Sequence, residues 1–195
     1  MDNAVIFFSG FQQSWKKLSG VESIWSRIYD KFAGPDFLVL PPFQWDVNTD
    51  NIVHLIERNC HHHASIWVIA YSWGGGAAFT SFSRALQHRF YKIKNAILCD
   101  PVYRSRYLPK YIPDIFALVK KKKIIIPSNV KSVHWIRQQI GPVCGHDLLL
   151  ENTATKVFGP YNSDCDHLEI DDDPIFKNIV LETLTEDTKY LHEKT

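Results

Sequence analysis

An excess of either charge is missing from this chain. It carries 22 lysines and arginines against 21 aspartates and glutamates, a net +1 with histidine neutral. No global field therefore draws it to nucleic acid or to an anionic surface. No nucleic-acid recognition motif accompanies the short run Lys120-Lys121-Lys122-Lys123, which reads as a solvated face. No apolar stretch is long enough to cross a bilayer, so stable membrane insertion is not expected. The opening Met1-Asp2-Asn3-Ala4-Val5-Ile6-Phe7-Phe8 has neither a basic region nor a cleavage site. It reads as a first strand and not as a signal peptide, with the cytoplasm as the default compartment. Cysteine is scarce: Cys60, Cys99, Cys144 and Cys165 stand at wide, irregular spacings. They match no zinc pattern and read as reduced thiols. The triple His61-His62-His63 points its side chains in different directions and has no second ligand cluster to join. It reads as a polar linker. Neither a metal nor an organic cofactor is expected.

Apolar and aromatic residues are plentiful instead, 45% and 13% of 195 residues. That length most simply makes one domain with one core. Its organising stretch is Ser65-Ile66-Trp67-Val68-Ile69-Ala70-Tyr71-Ser72-Trp73-Gly74-Gly75-Gly76. An apolar run ends in a serine followed by glycines, and from Ala77 to Leu86 apolar residues return at helical spacing. The pattern predicts a buried strand, a sharp turn and a helix. A serine there lifts its hydroxyl away from the sheet, beside the free N–H groups of a helix start.

Ala70-Tyr71-Ser72-Trp73-Gly74 resembles the nucleophile elbow of the α/β-hydrolases, Gly-x-Ser-x-Gly. The elbow needs small residues two places either side of the serine, where strand and helix nearly touch. Ala70 meets that need with one methyl group. Ser9-Gly10-Phe11, which closes the first apolar run, resembles the family's His-Gly-x turn with Ser9 in place of histidine. The resemblance implies an oxyanion hole from the backbone N–H groups of Phe11 and Trp73, with Gln12 as the alternative first donor.

The rest of the chain alternates strand and helix. A helical stripe runs through Val21, Ile24, Trp25, Ile28, Tyr29 and Phe32 and stops at Gly34-Pro35. A short strand spans Asp36 to Leu40. The loop Phe43-Gln44-Trp45-Asp46 offers aromatics either for an acyl pocket or for packing. Asn48 or Thr49 caps a helix to about Cys60. Lys94 to Cys99 is the next strand and ends in Asp100-Pro101. Val130 to Ile136 is another, Thr153 to Phe158 the last, and a final helix runs from about Pro174 to Leu191. Residues 101–129, between the strand ending at Cys99 and the strand starting near Val130, break the alternation where hydrolases of this family insert a cap or lid.

The whole pattern resembles a minimal α/β-hydrolase. The implied architecture is an α/β three-layer sandwich with a mostly parallel, about six-stranded sheet. The implied site is a Ser-His-Asp triad. Ser72 is the nucleophile and His167, in the loop before the last helix, is the base. Asp100 is the favoured acid, with Asp147 as its rival. The expected activity is hydrolysis of a small-molecule carboxylic ester or thioester through an acyl-enzyme. The alternative is a catalytically silent protein of the same fold that binds a small ligand or a protein partner.

Overall fold

In the computed structural model, which describes residues 1–11, 19–105, 108–109, 122–140 and 145–192, the apolar runs become inner strands of one parallel sheet. The strands are β1 (Asn3–Ser9), β2 (Phe37–Val39), β3 (Phe43–Gln44), β4 (Ser65–Tyr71) and β5 (Ile93–Cys99), followed by β6 (Ile124–Ile126), β7 (Val130–Gln138), β8 (Leu148–Leu150) and β9 (Lys156–Ser163). Among the described residues the main sheet has seven strands in the order β2-β1-β4-β5-β7-β9, with β3 also pairing β1. Every one of these pairings is parallel. Parallel strands need crossovers, and here the crossovers put helices on both faces.

The alternation of side chains splits the core in two. Ala4, Ile6 and Phe8 face helices α2 (Thr49–Asn59) and α3 (Phe79–His88), whose Ile52, Val53, Ile56, Phe79 and Phe82 are fully or almost fully buried. Val5 and Phe7 face α1 (Gly20–Phe32) and α4 (Pro174–His192) through Ile24, Ile28, Phe176 and Val180. Coverage on both faces explains why β1 and β4 read as continuous apolar runs. The helix starts follow from local chemistry. Ser19 and Glu22 form a reciprocal capping box at α1, and the Asn48 side chain accepts the Asp50 N–H at α2.

Three local expectations change. The last strand begins later than Thr153, because Asn152 closes a turn by accepting the Ala154 and Thr155 N–H groups, and it ends later than Phe158, because the chain passes through Gly159-Pro160 without leaving the ladder. Gly159 has φ of +107°, and the β7–β9 register shifts there. An edge strand accepts such a proline because one side of it has no ladder to supply. The helix after Ser72 opens with a π turn, Gly74–Ala78, before α3 begins. Part of the expected cap belongs to the body of the protein. Ile124–Ile126 pairs in parallel with Leu148–Leu150, and Ile124 and Ile126 are buried on the α3 side of the core. Residues 106–107 and 110–121 of that segment lie outside the described residues.

Candidate active site

The turn after β4 is built by close contacts. Ser72 has φ of +54°, a left-handed conformation that a non-glycine residue adopts only when its surroundings enforce it. The enforcement is visible. The Ser72 N–H donates to Cys99 O at 3.0 Å, and the Ser72 carbonyl accepts from Gly75, Gly76 and Val102 N–H at 3.0, 3.0 and 2.9 Å. A Cβ at Gly74 would stand 2.6 Å from Phe8 O, and one at Gly76 would stand 1.8 Å from Val102 O. Gly74 is therefore obligatory, whereas the Ala70 methyl fits inside the core.

Three side chains from three strand ends meet at this turn. Ser72 Oγ lies 2.8 Å from His167 Nε2, and His167 Nδ1 lies 2.6 Å from Asp100 Oδ2. Asp100 follows β5, has φ of +42° and is fully buried. Its other oxygen, Oδ1, accepts the Gly145 N–H at 2.9 Å and the Gln138 N–H at 3.3 Å. Those donors replace the water that burial removes. With Nδ1–H donated to the carboxylate, Nε2 keeps its lone pair for the Ser72 hydroxyl proton. His167 stands in a turn held by Asp166: Leu168 N–H bonds Asp166 Oδ1 at 2.7 Å, and Ile170 N–H bonds Asp166 O at 3.0 Å. Ser72 is 4% exposed and the His167 side chain 13%.

Asp147 is elsewhere. Its carboxylate pairs with Arg137 Nη1 at 2.8 Å, and its side chain is more than half exposed. Phe11 and Trp73 are side by side, ring centroids 4.5 Å apart, and a Cβ on Gly10 would touch Ser72 Cβ at 2.9 Å. The first-strand turn thus borders the serine. Trp73 is the residue at the start of the π turn, and the Gly75 and Gly76 N–H groups of that turn are taken by the Ser72 carbonyl. Gln12 lies outside the described residues.

Contacts missed in the sequence surround this core. Tyr71 donates its phenol proton to the His167 carbonyl and stacks on the imidazole, centroids 5.3 Å apart and planes 29° from parallel. Burial, with Asp171 as the next cause, pushes the phenol far above its ordinary value. Arg104 is 5% exposed, donates to Pro109 O at 2.6 Å, and holds its guanidinium 4.5 Å from the rings of both Trp45 and Trp73. Beyond that stack lies a cavity of about 310 Å³ lined by Trp45, Asp46, Val47, Ala77, Arg104 and Leu108, among others. The sequence signal for Tyr71 was its place beside Ser72. For Arg104 it was an arginine just after the Asp100-Pro101 strand end.

Cys60, Cys99 and Cys165 carry free thiols, and Cys144 lies outside the described residues. Among the described residues no group of three or more His, Cys, Asp or Glu is arranged to hold a metal ion. No described helix is long and apolar enough to cross a membrane.

No protein-family model matches the chain, and no curated protein matches it. Among solved structures it is similar to wild-type Cfl2 from Burkholderia cenocepacia. The identity is 12% and the TM-score 0.43, over 93% of this chain and 87% of that one.

Proposed function

We propose that this protein is a serine hydrolase of the α/β-hydrolase type, cleaving a carboxylic ester or thioester. The observation that carries the reading is the continuous relay Asp100 Oδ2–His167–Ser72 Oγ, with steps of 2.6 and 2.8 Å. Both lengths suit charge-assisted or proton-transferring hydrogen bonds. The left-handed backbone at Ser72 supports it further, since a sharp strand-to-helix turn is how a nucleophile elbow presents its serine.

In this reading Ser72 Oγ attacks the acyl carbon while His167 Nε2 takes the hydroxyl proton. Asp100 holds the tautomer and stabilises the imidazolium. The oxyanion is received by the Phe11 and Trp73 N–H groups. His167 then gives its proton to the departing alcohol or thiol as the C–O or C–S bond breaks. Water repeats the attack, its proton passes to His167 and on to Ser72 Oγ, and the acid is released. No metal or organic cofactor enters any step. The aromatic residues Phe11, Trp45 and Trp73 favour an apolar acyl group.

The test is turnover of a panel of p-nitrophenyl esters and acyl thioesters by wild type and Ser72→Ala. Turnover by wild type, with a loss of about 10⁴-fold or more in the variant, supports the reading. Equal turnover by both overturns it.

A further inference from the structure

We propose that Tyr71 is a positioning residue for the base. Its hydroxyl tethers the backbone of His167 and its ring backs the imidazole that becomes cationic during the reaction. The proposal rests on the hydrolase reading for its kinetic consequences, but its structural part stands alone.

Strand geometry delivers the residue. Trp67, Ile69 and Tyr71 alternate toward the α1/α4 side of the sheet, and the turn carrying His167 leads into the 3-10 turn Ile170–Asp172 and then α4 on that same side. The last residue of β4 therefore reaches the His167 loop, while the next residue, Ser72, turns to the imidazole edge. Two chain neighbours address one histidine from two directions. Asp166 bonds the N–H groups of Leu168, Glu169 and Ile170 within the turn. These bonds shape the turn but do not fix it to the sheet. Tyr71 does so at His167 itself, through the bond from its hydroxyl to the His167 carbonyl, while Cys99 Sγ meets Ile170 O at 3.6 Å further along the turn. Tyr71 is 3% exposed, so water has little access to the bond from the tyrosine side. Because burial holds the phenol protonated well beyond neutral pH, it donates under all working conditions.

The ring does separate work. It is stacked on the imidazole with planes 29° from parallel and centroids 5.3 Å apart, within the range of a cation–π contact. That contact strengthens only when His167 takes the Ser72 proton. It therefore favours the transition state over the resting site. The charged or titratable groups facing the imidazole are Asp100 on its Nδ1 side, Ser72 on its Nε2 side and Tyr71 on its face. Asp166 holds the turn from the backbone side.

Tyr71→Phe keeps the ring and removes the tether; Tyr71→Leu removes both. On an activated ester, Tyr71→Phe is expected to lower kcat about tenfold with KM within about twofold. Tyr71→Leu is expected to fall roughly another threefold to tenfold. The proton NMR resonance of His167 Nδ1–H, bonded to Asp100, is expected to exchange faster in Tyr71→Phe. In wild type the Tyr71 hydroxyl proton is expected as a slowly exchanging resonance close to His167 Hα. That measurement keeps the proposal testable where a variant does not fold. Unchanged kcat in both variants, with only the urea midpoint lowered, overturns the positioning role. A rapidly exchanging Tyr71 hydroxyl in wild type overturns the tether. Inert wild type with both resonances as expected instead fails the hydrolase reading and leaves the tether standing.

Discussion

Gly145 stands so close to Asp100 that no side chain fits between them. A Cβ on Gly145 would lie 2.4 Å from Asp100 Oδ1, the same oxygen that accepts the Gly145 N–H at 2.9 Å. The glycine is both a hydrogen-bond donor to the buried acid and the space that lets the donor approach.

Gly145→Ala is therefore expected to push the Asp100 carboxylate away from His167. Misplacement of a reacting group by about 1 Å costs on the order of 10²-fold in rate, and overpacking costs about 1–3 kcal/mol in stability. Ester turnover and a urea melt measure the two effects. Turnover within twofold of wild type would remove Gly145 from the account.

The two carboxylates near the strand ends are expected to separate cleanly. Asp100→Asn should lower kcat by about 10⁴-fold, since an amide cannot hold the required tautomer. Asp147→Asn should stay within about twofold, because its pair with Arg137 is exposed and such pairs contribute about 0–1 kcal/mol. Steady-state kinetics on the two purified variants decides. The opposite ranking would make Asp147 the acid.

Arg104 is expected to resist conservative replacement. Its flat guanidinium lies against Trp45 and Trp73 at once, and an ammonium group cannot stack in that way. A desolvated cation–π contact is worth about 2 kcal/mol. Arg104→Lys and Arg104→Met should therefore both destabilise the fold by about that amount. Because Trp73 follows Ser72, both should also slow acylation of the serine. Thermal melts and single-turnover acylation check this. A lysine variant with wild-type behaviour would show that charge alone matters there.

His134 gives the fold an acid-sensitive point away from Ser72. Its ring is stacked on Phe158 at 4.7 Å, and desolvation lowers its pKa from 6.5 against the opposing pull of Asp187 and Glu186. A base whose folded pKa is depressed favours the neutral folded form. That stability is fully present above 6.5 and is lost as pH falls through 6.5 toward the folded value. Unfolding free energy is thus expected to decline below pH 6.5, and His134→Phe, which keeps a flat ring, should flatten the decline. Urea titrations from pH 8 to 5 measure it. Identical slopes in both proteins would contradict it.

The strands that carry Ser72 and Asp100 are legible in the sequence for one physical reason. In a sheet covered on both faces, buried strands are continuous apolar runs, so their ends are visible as the places where polar residues begin. Ser72 and Asp100 each stand at such an end. β3 and the β6–β8 pair were not legible, because two or three residues give too short a run to show a period. The end of β9 was hidden because Gly159-Pro160 normally punctuates a strand, and only the register shift shows that the ladder continues. The choice between Asp100 and Asp147 was open because both follow strand-like runs. It turns on the contact between His167 Nδ1 and Asp100 Oδ2, which bridges 67 residues. The contacts of Tyr71 and Arg104 are hidden for the same reason: each stands near a site residue in the chain, but the groups it meets are distant in sequence.

The most direct measurement is labelling by a fluorophosphonate probe in wild type and in Ser72→Ala. The reagent reports an activated serine whatever the natural substrate is. The account predicts one adduct per wild-type chain, located on Ser72 by peptide mass, and none in the variant. Equal labelling of both proteins, or no labelling of a folded wild type, would contradict it. The second outcome would favour a ligand-binding protein that keeps the relay without using it.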